Sequence, residues 1–201
     1  MTNRGAKWED AAGLVLAGGQ SRRMGRPKAE LPVGAAGDTL LASRVRLLEQ
    51  VVSPVWISLP HGAAPGAGRL VDQDESPGPL AGIVAGLEQL ARVGAEWLIV
   101  LAVDMPNVPA ELLAALYGRR VGGGVALAQH PATGRWEPLV SCWHRGAAEP
   151  AAACFAEGQR AVRAVLQTLP TQVVRLAEHQ AGWLANLNTP REWEAWRRGS
   201  P

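Results

Sequence analysis

Short apolar runs alternate with helix-like segments along this chain, and that alternation constrains its fold more than any other feature of the sequence. Runs at 13–17, 55–59 and 97–103 are typical of buried strands, and the segments at 39–52 and 80–92 carry apolar residues at helical spacing. Strands that alternate with helices are joined by right-handed crossovers and form a mainly parallel sheet. We therefore expect an α/β fold, organised as one domain over residues 1–201.

The rest of the chain carries weaker patterns of the same kind. We predict further strands at 69–72, 124–128, 137–142 and 173–176, further helices at 110–116, 145–155, 160–169 and 190–197, and a loop at 60–68.

Composition excludes several classes of protein. The 20 basic and 18 acidic residues give a net charge of +2, which provides no electrostatic basis for a nucleic-acid or membrane-surface partner. Cys142 and Cys154 are too few for a disulfide framework or a thiolate metal site. No apolar run reaches membrane-spanning length, and the polar start has no signal-peptide profile. We expect a soluble, cytoplasmic protein.

The most informative stretch is the glycine loop at 16–28, LAGGQSRRMGRPK, which follows the first predicted strand. Glycines let backbone N–H groups form a nest for phosphate oxygens, and Lys28, one of only two lysines with Lys7, closes the loop. The loop has neither the Gly-Lys-Ser/Thr of a Walker A motif nor the Gly-x-Gly-x-x-Gly of a dinucleotide site. It predicts polyphosphate binding, and a turn that merely links a strand to a helix is the alternative. Arg22, Arg23 and Arg26 taken singly are typical of solvated or salt-bridged side chains.

Polar residues follow other predicted strands and precede the last helix. Ligands of parallel sheets bind beyond the carboxyl ends of the strands, where Asp104 and Asp72 could hold Mg²⁺ or a ligand, or form turns. The segment 77–82, PGPLAG, could face a ligand or simply pack. In the segment 186–190, NLNTP, Asn188 or Thr189 could be the N-cap of the last helix, with Pro190 in its first turn. Alternatively, an asparagine amide of this segment could reach the metal or substrate.

Four motifs together resemble the MobA-like nucleotidyltransferases. They are LAGGxSxRMGxxK at 16–28, GPLAG at 78–82, DMP at 104–106 and NLNTP at 186–190, in the family's order and over nearly the whole chain. The resemblance implies a three-layer, Rossmann-like nucleotidyltransferase fold, with a nucleotide-binding part at about 11–106 and an acceptor-binding part at about 107–201. Gly18 and Gly19 favour the guanylyltransferase branch, because the cytidylyltransferases usually have Ala-Ala-Gly there.

That branch implies transfer of GMP from GTP to the terminal phosphate of molybdopterin, with release of pyrophosphate and formation of the guanine dinucleotide cofactor. The implied cofactor is Mg²⁺. The implied partners are GTP, molybdopterin or the molybdenum cofactor, and transiently the proteins of cofactor biosynthesis or molybdoenzyme maturation. A cytidylyltransferase, another nucleotidyltransferase of the family, or a non-catalytic nucleotide-binding protein on the same scaffold remains the alternative.

The resemblance also implies roles for single residues. Lys28 binds phosphates, Asp104 binds Mg²⁺, and Arg23 completes the predicted catalytic set. The predicted cofactor-binding residues are Leu16, Ala17, Gly18, Gly19, Lys28, Ser58, Asp72, Gly82 and Asn188. The chain departs from the family at Pro27, where an aspartate is usual, and at Ser58, which falls near a family asparagine that contacts the nucleoside.

Overall fold

A seven-stranded sheet forms the centre of the molecule in a computed structural model, which describes residues 7–18, 24–33, 37–64, 66–71 and 78–199. The strands are β1 Ala11–Leu16, β2 Pro32–Val33, β3 Asp38–Thr39, β4 Val55–Leu59, β5 Arg69–Val71, β6 Trp97–Ala102, β7 Val125–Gln129, β8 Trp136–His144 and β9 Thr171–Arg175. The helices are α1 Leu40–Glu49, α2 Gly78–Val93, α3 Ala110–Gly118, α4 Ala148–Ala156, α5 Val162–Leu166 and α6 Pro190–Gly199. Short 3-10 helices lie at Lys28–Glu30, Arg145–Ala147 and Glu178–Leu184.

The sheet has the order β5-β4-β1-β6-β8-β7-β9. Neighbouring strands are parallel except at β8, which runs antiparallel to both β6 and β7. The predicted mainly parallel α/β sheet is therefore confirmed. Because β8 is reversed, its first residues lie at the same edge of the sheet as the carboxyl end of β6, and this places a second set of side chains beside that edge.

Two hydrophobic cores, one on each face of the sheet, make the three layers. On one face α1, α3 and α6 contribute buried residues such as Leu48, Leu113 and Trp193. On the other face α2, α4 and α5 contribute Leu87, Ala151 and Val165. The strand β6 is buried along its whole length because helices cover both of its sides, which explains its unbroken apolar sequence.

Most predicted elements are confirmed, with boundaries that move by a few residues. The predicted helix at 160–169 is reduced to Val162–Leu166, and the one at 145–155 begins as the 3-10 turn Arg145–Ala147. The β2–β3 hairpin and the 3-10 helix Glu178–Leu184 were not predicted. No helix in the described part of the chain has both the length and the apolar character needed to cross a membrane.

Candidate functional site

Three polar side chains from distant parts of the chain meet beyond the carboxyl end of β6. The ammonium of Lys28 donates to Asp104 Oδ2 at 2.8 Å and to Asn188 Oδ1 at 2.7 Å. The Lys28 and Asp104 side chains are only 15% and 22% exposed, so water screens their attraction less than it screens a surface pair. The structure thus brings together the two central residues of the predicted site and the asparagine of the last motif.

Lys28 is held in place by the backbone around it. It opens the 3-10 turn Lys28–Glu30, and the Leu31 N–H donates to its carbonyl oxygen at 3.1 Å. Leu31 is fully buried, which anchors the turn in the core. Pro27 precedes the turn at φ −59°, an angle that the proline ring itself fixes. The departure from the family at this position therefore replaces a side-chain carboxylate with a rigid entry to Lys28.

A buried arginine fixes the loop that carries Asp104. One nitrogen of the Arg44 guanidinium donates to the carbonyl oxygens of Met105 and Val108, both at 3.2 Å. Burial lowers the pKa of Arg44 to about 10. The Leu187 N–H adds a backbone tie to the Asp104 carbonyl oxygen at 2.9 Å, so the loops that carry Asp104 and Asn188 are joined directly.

Sequence reasoning missed this role of Arg44. In the sequence Arg44 is one of the polar residues between the apolar positions of the predicted helix 39–52. A signal was present, because Leu40, Arg44 and Leu48 are spaced four residues apart and form one buried stripe. A charged residue inside such a stripe indicates an internal hydrogen-bonding role.

The start of α6 orients Asn188. Thr189 Oγ1 accepts a hydrogen bond from the Glu192 N–H at 3.2 Å, and the Glu192 carboxylate accepts from the N–H groups of Asn188 and Thr189 at 2.6 and 3.0 Å. These contacts form a capping box with Pro190 in the first turn. The predicted N-cap is confirmed at Thr189, which leaves the Asn188 amide available to contact Lys28.

The mouth of the glycine loop is tied to its neighbouring strands. The Ala17 N–H donates to the Ser58 carbonyl at 2.9 Å, and the Leu16 carbonyl accepts from the Val103 N–H at 3.0 Å. The Ala17 amide is therefore already committed, and Gly18 next to it is half-buried. The predicted backbone contacts of Leu16, Ala17 and Gly18 with a nucleotide remain predictions.

Three further predicted site residues, Gly19, Arg23 and Asp72, lie outside the described residues, as does the rest of 19–23.

Ser58 and Gly82 contact each other beneath α2. Ser58 is 3% exposed. A Cβ placed on Gly82 would lie 2.8 Å from Leu16 Cδ2 and 2.9 Å from Ser58 Cβ, and nearer still to the Ser58 hydroxyl. Gly82 therefore lets α2 approach β1 and β4 closely, which is the packing alternative for the 77–82 motif. The predicted contact of both residues with a nucleotide remains a prediction.

The donor atoms at Asp104 fit a hard cation that phosphate helps to bind. Asp104 Oδ2 accepts from Lys28, whereas Oδ1 receives no hydrogen bond from any described residue. The Asn188 amide oxygen accepts from the same ammonium. Within the described ranges no group of three His, Cys, Asp or Glu side chains could hold a metal by itself. One carboxylate and one amide oxygen suit Mg²⁺, which usually completes its shell with phosphate oxygens and water.

A family model described as the MobA-like NTP transferase domain matches residues 13–176. The chain belongs to this family. This MobA-like NTP transferase is 36% identical over 195 residues to a protein of Opitutus terrae named probable molybdenum cofactor guanylyltransferase, covering 93% of this chain and 95% of the relative. A Mycobacterium avium protein of the same name is 36% identical over 193 residues, covering 92% and 93% of the two chains.

Solved structures share the fold of this MobA-like NTP transferase. The molybdopterin-guanine dinucleotide biosynthesis protein A of Archaeoglobus fulgidus aligns with a TM-score of 0.72 and 22% identity, over 93% of this chain and 97% of the other. The 2-C-methyl-D-erythritol 4-phosphate cytidylyltransferase of Thermus thermophilus aligns with a TM-score of 0.66 and 19% identity, over 92% and 96%. At these identities the likeness shows the nucleotidyltransferase fold alone.

Proposed function

We propose that this MobA-like NTP transferase is a molybdenum cofactor guanylyltransferase, which transfers GMP from GTP to the terminal phosphate of molybdopterin. The observation that carries the proposal is the meeting of Lys28 with Asp104 and Asn188 at the carboxyl edge of the sheet, where such folds bind ligands. The names of relatives that are 36% identical over more than nine-tenths of the chain support the choice of substrates.

The reaction needs charge compensation more than a base. An oxygen of the molybdopterin phosphate attacks the α-phosphorus of GTP in line and forms a new P–O bond. The bond between the α-phosphorus and the bridging oxygen breaks, and its electron pair leaves with pyrophosphate. The attacking phosphate is already anionic, so no strong general base is required, and the main obstacle is repulsion between two anions.

Lys28 is suited to reduce that repulsion. Two oxygen atoms hold its ammonium at 2.8 and 2.7 Å, so the charge is oriented before the substrates bind. A preorganised charge stabilises the transition state without the cost of reorienting water. We assign phosphate binding and orientation to Lys28, and positioning of its ammonium to Asp104 and Asn188.

Asp104 would also hold Mg²⁺, with the Asn188 amide oxygen close to it. When bound there, the ion would neutralise part of the phosphate charge.

Cytoplasmic location remains a prediction from the sequence.

Nucleotide selectivity tests the proposal. Wild-type protein, molybdopterin and Mg²⁺ are incubated with GTP or with CTP, and pyrophosphate release and the dinucleotide product are measured. We expect transfer from GTP that far exceeds transfer from CTP. A pterin without the terminal phosphate is the control acceptor and should release no pyrophosphate. Preference for CTP would instead identify a cytidylyltransferase, and GTP binding without transfer would indicate a non-catalytic nucleotide-binding protein.

A further inference from the structure

A concave surface lies beside the start of β8, which we call the β8 cleft and define by Arg135, Trp136, Glu137 and Arg163. It comprises two adjoining cavities of about 450 Å³ and about 360 Å³, and Arg135, Trp136 and Arg163 line both. Small-molecule sites commonly have volumes of about 300–1,000 Å³, so the cleft has the size of a ligand site.

The β8 cleft lies at the same edge of the sheet as the Lys28 site. In the antiparallel register of β6 and β8, Leu101 is opposite Val140. The β8 residues that precede Val140 therefore lie at or beyond the carboxyl end of β6, at the edge of the sheet that carries Asp104. Burial raises the pKa of Glu137, and the nearby Asp104 carboxylate raises it further, which agrees with this placement. A ligand in the cleft that extends past Glu137 therefore approaches the edge of the sheet that carries Asp104.

The side chains of the β8 cleft combine an aromatic face with two cationic groups. Trp136 is 37% exposed, which is unusual for so large an apolar side chain. The Arg135 and Arg163 side chains are exposed, and neither forms a hydrogen bond or salt bridge with any residue that the structure describes. Arg160, by contrast, donates to the Phe155 carbonyl at 3.0 Å and lies over the Phe155 ring. Both guanidinium groups lie near the Glu137 carboxylate and act against the rise of its pKa, and they are accessible to a ligand together with the indole face.

The order of the sheet indicates which substrate the cleft receives. The glycine loop follows β1, which lies between β4 and β6, whereas β8 lies on the other side of β6. We place a nucleotide that binds at the carboxyl end of β1 on the β1–β4 side of Asp104, and the larger cavity reaches the start of α2 at Gly78 and Pro79. The β8 side remains for the second substrate, whose phosphate must reach the same Asp104 edge.

We propose that the β8 cleft binds the pterin of the acceptor, with Trp136 stacked on its fused rings and Arg135 and Arg163 donating hydrogen bonds to its electronegative atoms. This inference rests on the proposed function. A planar heterocycle suits the indole face, and guanidinium groups match carbonyl and anionic acceptors. In this arrangement the acceptor phosphate points inward to Lys28, and Trp136 sets the distance of the pterin from the reacting phosphorus.

Steady-state kinetics of exposed variants test the inference. We expect Trp136→Ala and Arg163→Met each to raise the KM for molybdopterin about tenfold, on the scale of about 1.4 kcal/mol per tenfold change, and to leave the KM for GTP within about twofold. Trp136→Phe keeps an aromatic face and should restore most of the affinity. Arg119→Met is the matched control, because Arg119 is also exposed but lies after α3, away from the cleft.

The outcomes separate this inference from the proposed function. Wild-type transfer of GMP with an unchanged KM for molybdopterin in both variants would overturn the β8 cleft while leaving the function intact. A raised KM for GTP instead would assign the cleft to the nucleotide and would also overturn it. Failure of wild-type protein to transfer GMP would refute the function. In that case, direct binding of molybdopterin without GTP, measured by tryptophan fluorescence, tests whether the β8 cleft binds the pterin. An equal Kd for wild type and Trp136→Ala overturns the inference, and weaker binding by the variant supports it.

Discussion

Arg44→Met removes the two hydrogen bonds that fix the loop after β6. The carbonyl oxygens of Met105 and Val108 lose their donor, and each unsatisfied buried polar group costs about 1–3 kcal/mol. Both contacts are 3.2 Å long, so we take the lower part of that range, roughly 2–3 kcal/mol for the pair. Methionine also removes a buried charge. The lowering of the pKa of Arg44 to about 10 corresponds to a desolvation cost of about 3 kcal/mol.

These opposing contributions nearly cancel, so the free energy of unfolding should change by no more than about 2 kcal/mol. Activity should change more, because the loop that carries Asp104 loses its two hydrogen bonds to the buried guanidinium and depends more on its backbone ties to Leu16 and Leu187. Complete loss of one preorganised charge contact costs about hundredfold in rate. We therefore expect kcat for GMP transfer to fall about tenfold, which corresponds to roughly half of the free energy of a hundredfold loss. The KM for GTP should change little.

The assay pairs Arg44→Met with Arg46→Met from the same helix. Arg46 forms an exposed ion pair with Asp38, which contributes at most about 1 kcal/mol and lies on the surface. Arg46→Met should keep full activity. A double-mutant cycle with Asp104→Asn then separates positioning from general damage: if Arg44 acts through Asp104, Arg44→Met has little further effect in that background. An equal tenfold fall in both backgrounds would refute the reasoning.

Two further substitutions test the packing and the cap that support the site. Gly82→Ala should destabilise the protein by about 1–3 kcal/mol in urea unfolding, because the new methyl group overlaps β1 and β4. The control Gly118→Ala lies at a helix end with open space and should be neutral or stabilising. Equal stability of the two variants would contradict the close approach of α2. Glu192→Ala should lower kcat severalfold by loosening Asn188, and Glu194→Ala should not. Hydrogen bonds, of which the one from the Asn188 N–H has the largest effect, lower the pKa of Glu192. The ionised Glu192 carboxylate therefore stabilises the fold above the ordinary pKa of a glutamate, and this stabilisation is lost as the pH falls through the lowered pKa. An acid unfolding profile of Glu192→Ala that coincides with that of wild type would argue against this cap.

The parts of the fold that depend on local pattern could be predicted from the sequence. The apolar strands β1, β4 and β6 and the helices between them carry clear periodicity, and strand-helix alternation implies a mainly parallel sheet. The reversal of β8 could not be predicted, because an antiparallel strand buried on both faces has the same apolar character as a parallel one. That reversal places the start of β8, with Trp136 and Glu137, at the edge of the sheet that carries Asp104, so the β8 cleft was not predicted either.

The candidate site shows the same division. Lys28 and Asp104 were identified because each belongs to a motif at the edge of the sheet, and the geometry that joins them to Asn188 follows from the tertiary fold. Gly82 belongs to a motif as well, and the structure packs it against Ser58 beneath α2, while the predicted contact of both residues with a nucleotide remains a prediction. Spacing along the chain does not distinguish a glycine that admits a ligand from one that admits a strand, because both need the absence of a side chain.

The rate of GMP transfer by the two lysine variants tests the central claim most directly. The chain has only two lysines, and Lys7 is exposed near the start of the chain, so Lys7→Ala is a natural control for Lys28→Ala. We predict that Lys28→Ala lowers the single-turnover rate with GTP and molybdopterin about hundredfold, as does Asp104→Ala, while both remain folded by circular dichroism. Lys7→Ala should transfer GMP at the wild-type rate. Near-normal turnover by folded Lys28→Ala would contradict the assignment of nucleotidyl transfer to this site.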